Sequence, residues 1–168
     1  MDYSKYYDLE KYIFGEVHDN FLNHGYLTAQ EFFCIVIWKA NRAKSKIKNR
    51  VKTIDSDLDV AVKKITNQIF NEKENKVKLK ILIDYGFALP MASAILTVLY
   101  PDIFTVYDIR VRNEIGMEKD ISYKKDAVNL YFAEYLKKVM AIAGSSLRDR
   151  DKYLWGKSFY DDLKKLLM

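Results

Sequence analysis

"LIDYGFALPMASAILTVLYPDIFTVYDIRV", Leu82 to Val111, is where the chain changes character. Elsewhere Lys, Tyr, Asn and Asp are abundant. Here Gly86, Ala88, Pro90, Ala92, Ser93 and Ala94 crowd together, and an acid, Asp108, follows in apolar and basic surroundings. A helix running through "KVKLKILIDY" to Gly86, a tight turn, and a second helix "PMASAILTVLY" read as a helix-hairpin-helix over about 76–100. Small contacts such as Ala92 and Ser93 let two helices close up. Gly86 suits a turn that needs positive φ. Pro90 suits a first helical turn, and Pro101 stops the helix before it. Such a turn leaves backbone N–H groups at the second helix's start, around Gly86, Phe87, Ala88 and Leu89. Together with the helix dipole they suit an anion such as a DNA phosphate.

Outward from this stretch, apolar residues recur at spacings of three and four, which predicts an all-α protein. One helix is expected over Ser4–Leu22, stopped by "NHGY". Thr28, with Glu31 three residues on, caps "AQEFFCIVIWKAN", a helix apolar nearly all round and so expected to be central. "KSKIKNRVK" follows, then a helix capped by Asp55 or Ser56. Asp108 opens a short helix, a long one covers roughly Tyr123 to Ala143, and Ser145 or Ser146 caps the last. With no repeat or linker, this is one compact helical domain over 1–168 with about eight helices.

Composition narrows the function. The formal charge of +5 is a modest basic excess that favours an anionic partner only where the charges cluster. They cluster at Lys39, Arg42, Lys44, Lys46, Lys48, Arg50 and Lys52, a run with no acid inside it. It is either a solvated helix face or a phosphate-tracking patch. The single cysteine, Cys34, lies among apolar residues, which excludes an internal disulfide framework and a cysteine-built metal cluster. His18 and His24 have no third ligand at metal spacing, so no metal and no cofactor are expected. Met1 leads into "DYSKYYDLEKY" without a signal peptide's pattern, and no apolar run approaches a membrane span. The expectation is a cytoplasmic, monomeric protein with no membrane partner.

The stretch from Gly86 to Asp108 resembles the helix-hairpin-helix DNA glycosylases, the superfamily of endonuclease III. Ala92 stands where their hairpin pattern has an alanine. "VYD", Val106 to Asp108, falls where their catalytic-aspartate segment belongs, at the spacing seen in endonuclease III. The close match covers about 30 residues, as a divergent member of that superfamily would show. Three positions depart: Ala88 replaces the second hairpin glycine, Pro90 replaces the amine of bifunctional members, and Asn113 replaces a frequent arginine. The resemblance implies a monofunctional DNA glycosylase, a repair hydrolase that breaks the N-glycosidic bond of a damaged or modified base.

In that reading Asp108 is the catalytic carboxylate, although Asp also favours the N-cap that its position demands. The turn Gly86–Leu89 grips one phosphate. Lys39, Arg42, Lys46 and Arg50, with Arg110 and Arg112 near the acid, bind the DNA backbone. Tyr107 and Tyr85 are candidates for stacking on a flipped base, against the plainer reading that both are packing. The "SSLRDRDKYLW" segment reads as a docked terminal helix with Arg148 and Asp151 as i,i+3 partners; alternatively Arg148 lines the cleft. The alternative function is a non-catalytic helix-hairpin-helix module that binds DNA or a protein.

Overall fold

In the computed structural model, which describes residues 3–168, every regular element is helical and no strand occurs among those residues. The all-α class predicted from periodicity is the observed one. Met1 and Asp2, where the start read as leaderless lies, are outside the described residues. Among the described residues no helix is long and apolar enough to cross a membrane. The chain divides into two compact units, Met1–Phe87 and Ala88–Met168, a division that the expectation of one domain does not draw.

The first unit begins with a 3-10 turn, Ser4–Tyr6, and helix α1 over residues 9–24, which contains a π turn at Ile13–Val17. Gly25, at φ 77°, ends α1 as the sequence predicts, with the helix starting at Leu9 and running to His24 where Ser4 to Leu22 is expected. Thr28 then closes a complete capping box. Its hydroxyl accepts from the Glu31 amide at 3.3 Å, and its own amide donates to the Glu31 carboxylate at 2.8 Å. Helices α2 (Ala29–Ala40), α3 (Lys44–Lys52), α4 (Leu58–Asn71) and α5 (Asn75–Asp84) follow.

Asp57, rather than Asp55 or Ser56, caps α4, accepting from the Asp59 and Val60 amides at 2.8 and 3.3 Å. Asp55 accepts from the Asp57 amide and shapes the approach instead. The far end of α4 is closed by a buried lysine. Lys78 donates to the carbonyls of Ile69, at 3.1 Å, and Glu72, the kind of groups a helix end leaves unpaired. Burial lowers its pKa. Phe21, Leu27, Phe32, Ile35, Ile65 and Phe87 fill this unit's core.

The second unit holds α6 (Leu89–Leu99), α7 (Ile109–Glu114), α8 over residues 127–140 and α9 (Leu147–Leu167). Helix α8 is shorter at both ends than the expected Tyr123–Ala143, and it carries a π turn at Tyr131–Tyr135. Ser146 caps α9 by accepting from the Asp149 amide at 3.0 Å. Every residue from Met91 to Leu99 is buried. Helix α6 is therefore the one without a solvent face. Helix α2, expected in that role, leaves Ile37 exposed.

Between α5 and α6 the predicted turn is present. Gly86 has φ 85°. Its amide donates to Ile83 at 2.8 Å, and the Phe87 amide donates to Leu82 at 3.1 Å. That paired pattern around a left-handed residue is a Schellman close to α5. The Phe87 ring is buried and meets Phe32 edge-on at 5.9 Å. A Cβ at Gly86 would lie 2.9 Å from the Arg50 guanidinium. Gly86→Ala is therefore expected to cost about 1–2 kcal/mol from the left-handed backbone alone. Urea unfolding checks this, and adding Arg50→Ala should recover only the part due to the contact. An unchanged midpoint would mean that the turn is not left-handed.

Candidate functional site

In the second unit, Phe104 to Tyr107 are buried yet neither helical nor paired in a sheet. A buried backbone must still find partners for its N–H and C=O groups. Here side chains supply them. The Tyr131 hydroxyl accepts from the Thr105 amide at 2.9 Å and donates to the Thr105 carbonyl at 2.6 Å. The Tyr135 hydroxyl donates to the Val106 carbonyl at 2.6 Å and accepts from the Asp108 amide at 3.4 Å. The Tyr107 amide donates to Ser93 Oγ at 2.8 Å. Ser93, chosen in the sequence for its size, is thus also a hydrogen-bond partner.

The rings complete the clamp. Tyr131 and Tyr135 lie on the π turn of α8 with centroids 5.7 Å apart, and Tyr107 meets Tyr135 at 4.8 Å. Burial is the main reason that Tyr107, Tyr131 and Tyr135 all have raised pKa values. For Tyr131 and Tyr135 the negative charge of buried Asp151 adds to it. Asp151 pairs with Arg148, the i,i+3 partnership read from the sequence.

This clamped segment delivers Asp108. The residue is extended, at φ −126° and ψ 143°, and its carboxylate accepts from the Arg110 amide at 3.0 Å. It is the N-cap of α7, half-buried, and its charge contributes to the raised pKa of Tyr135.

The neighbouring arginines are engaged within the unit. Arg110 pairs with Asp162 at 2.6 Å and lies over the rings of Trp155 and Phe159 of α9, 5.4 and 5.6 Å from their centroids. Arg112 sits 3.4 Å from Asp120 with its side chain 11% exposed, and its buried Nε has no hydrogen-bond partner. Tyr107 is 2% exposed, and its hydroxyl donates to Asp120 and accepts from the Ile121 amide, each at 3.0 Å. Its ring is core in this structure, not a face offered to a base. The exposed Trp155 and Phe159 rings, stacked at 5.5 Å, carry no hint of this role in the sequence except their i,i+4 spacing.

In the first unit, the basic run occupies the end of α2, a 3-10 turn at Asn41–Ala43, and α3. Helix α3 buries Ile47 and Val51 and exposes Lys44, Lys46, Lys48, Arg50 and Lys52; Arg42 is exposed and Lys39 half-buried. Arg50 lies against Gly86, so basic run and turn meet there. The Gly86 and Phe87 amides, expected to point outward, instead turn back onto α5. The amides of Ala88 and Leu89 are the ones not turned back in this way. Ala88 is exposed, while the Leu89 side chain is buried. Tyr85 is half-buried, with its hydroxyl donating to Gln68 at 3.0 Å. Burial raises the Cys34 thiol's pKa, in line with an inert small hydrophobe.

No family model, curated protein or solved structure matches this chain.

The clamp makes two testable demands. Tyr131→Phe strands both backbone polar groups of Thr105 in the interior, at an expected cost of roughly 1–3 kcal/mol, read as a lower urea midpoint. Tyr123→Phe, at a residue 89% exposed, should leave the midpoint unchanged. An equal response of both would remove the clamp. The second demand concerns pH. Because folding raises these phenol pKa values, their contribution is complete below the ordinary value of about 10 and is lost as pH climbs through the raised values. Tyr12 and Tyr100, each pushed up to about 12 by burial, act in the same sense. Stability should thus decline above about pH 10, with phenolate absorbance of the buried tyrosines appearing only as the chain unfolds. Full titration of every tyrosine in a folded chain would contradict it.

Proposed function

We propose that the chain is a divergent helix-hairpin-helix DNA glycosylase of the monofunctional kind. The observation that carries this reading is the fixed carboxylate of Asp108. It stands at the end of a tyrosine-clamped segment, anchored as a helix N-cap, and only half-buried. In the proposed reaction the bond from the sugar C1′ to the base nitrogen breaks, and positive charge develops on the sugar. The Asp108 carboxylate stabilises that charge, a water oxygen bonds to C1′, and the departing base takes the proton. A clamped cap suits the task, because a preorganised charge needs no reorientation as the transition state forms.

DNA affinity in this reading comes from the exposed cations of α3 with Arg42 and from Arg50 beside the Gly86 turn. The backbone grip narrows to Ala88 and Leu89. Tyr85 is the remaining stacking candidate, because Tyr107 is core. A second reading, a non-catalytic DNA or protein module, is favoured by a different observation: Arg110 and Arg112 are held by Asp162 and Asp120.

Asp108→Asn separates the two readings. Asn is also a good N-cap, so the fold should survive with a loss well under about 1 kcal/mol. Base release should fall by a factor on the order of a hundred or more. The measurement is alkali-revealed strand cleavage on a panel of damaged oligonucleotides, beside a thermal melt. Equal cleavage by both proteins would remove Asp108 from the chemistry. Absence of cleavage by the wild type on every lesion would favour the non-catalytic module. For binding, replacing Arg42, Lys46 and Arg50 with Gln should weaken affinity alike for any DNA sequence and flatten its dependence on salt. An unchanged salt slope would leave the run as a solvated face.

A further inference from the structure

Within the first unit, a pocket of about 460 Å³ opens beside the 3-10 turn Ser4–Tyr6. Its walls combine aromatic faces with acids. The Tyr6 and Tyr12 rings meet edge-on, with centroids 5.4 Å apart and planes at 66°. Glu16 and Glu31 stand in the same wall. The Lys5 ammonium already lies in it, 4.6 Å from the Tyr12 centroid, 5.6 Å from the Tyr6 centroid and 2.7 Å from the Glu16 carboxylate. Two ring faces at an angle with a carboxylate alongside are the arrangement that recognises organic ammonium groups, because the ring quadrupoles and the acid all attract a cation.

The wall has anchors other than Lys5. Tyr12 is 7% exposed and Glu31 is 8% exposed. Glu31 is anchored by Asn20 at 2.7 Å and by the Thr28 amide and hydroxyl, each at 2.8 Å. Gln30 donates to the Tyr6 hydroxyl and holds that ring. Lys5 shares the Ser4–Tyr6 turn with Tyr6, and its own side chain is 31% exposed. An exposed ion pair of this kind contributes little to stability, so Lys5 is displaceable. The open cleft beside Lys5 has a volume of about 460 Å³, room for a small alkyl group.

We propose that this pocket binds the alkylammonium group of a small organic amine, with Lys5 as its resident stand-in. The inference is independent of the DNA reading, since it uses no residue of the basic run or of the clamp. A ligand enters by displacing Lys5 from Glu16 and seating its own ammonium over the two rings. Its alkyl body then fills the space that Lys5 leaves.

Butylammonium is the probe, with 1-butanol as the uncharged control, and amide shifts of Tyr6, Tyr12 and Glu16 in the full chain are the readout. Lys5→Ala should bind butylammonium at least about tenfold tighter than the wild type, because the competing cation is gone. Butanol should produce no shifts, and Glu16→Gln in the Lys5→Ala chain should abolish the gain. Lys5→Met, which keeps the stem without the charge, should behave as Lys5→Ala does. The proposal is overturned if the folded Lys5 variants show no shifts, or if Glu16→Gln leaves binding intact. It is equally overturned if both Lys5 variants lose the Ser4–Tyr6 turn, which would make Lys5 a structural latch and nothing more.

Discussion

A chain segment that is buried but neither helical nor in a sheet has to be satisfied by side chains, and this constraint organises the second unit. The Phe104–Asp108 stretch has no neighbouring strand to bond, so Tyr131, Tyr135 and Ser93 act as its partners. A tyrosine hydroxyl is well suited because it both donates and accepts. One phenol can therefore satisfy a carbonyl and an amide together. The cost of burying the phenols is offset by those bonds and by the ring stacking. The high aromatic content of the chain has a physical use here that a general need for core volume would not explain.

The same constraint determines what Asp108 is. A carboxylate on a mobile loop samples many orientations. Asp108 is restrained on both sides, by the Tyr135 hydroxyl at its amide and by the Arg110 amide at its carboxylate. Structural cap and oriented charge are one geometry, so the plain reading of this residue and the chemical one do not compete. Around it, cationic side chains are engaged internally rather than displayed. A run of displayed cations lies on α3, where Ile47 and Val51 take the buried face and leave the remainder to solvent. In the first unit, Arg50 connects that display to the Gly86 turn.

Local signals were well read from the sequence. The Thr28 capping box, the Gly25 stop, the Gly86 turn and the Asp108 cap all depend on residues within a few positions of one another. Their physics is complete in a short window. At the start of α4 the sequence points to Asp55 or Ser56 while Asp57 is the cap, because neighbouring Asp and Ser side chains can each accept an amide and local pattern does not rank them. What depends on distant partners was not legible. Nothing near Tyr107 says that its hydroxyl would meet Asp120, and nothing near Arg110 says that two rings and an acid of α9 would hold it. A clue did exist: an unpaired apolar stretch in an all-helical chain demands side-chain partners, and Tyr131 and Tyr135 are spaced to face one way.

The π turn in α8 makes register a property of residue count rather than of residue type. In a regular helix each position rotates the side chain by about 100°, at 3.6 residues per turn. The wider turn at Tyr131–Tyr135 changes that phase over one short stretch. Side chains before and after it therefore keep orientations that a uniform helix of the same length would not give. Conservative replacement of Phe132, Ala133 or Glu134 leaves this phase alone. Loss of any one of them would swing one tyrosine away from its partner carbonyl while leaving the composition almost unchanged. An insertion or deletion there would uncouple Asp108 from its support without touching the acid itself.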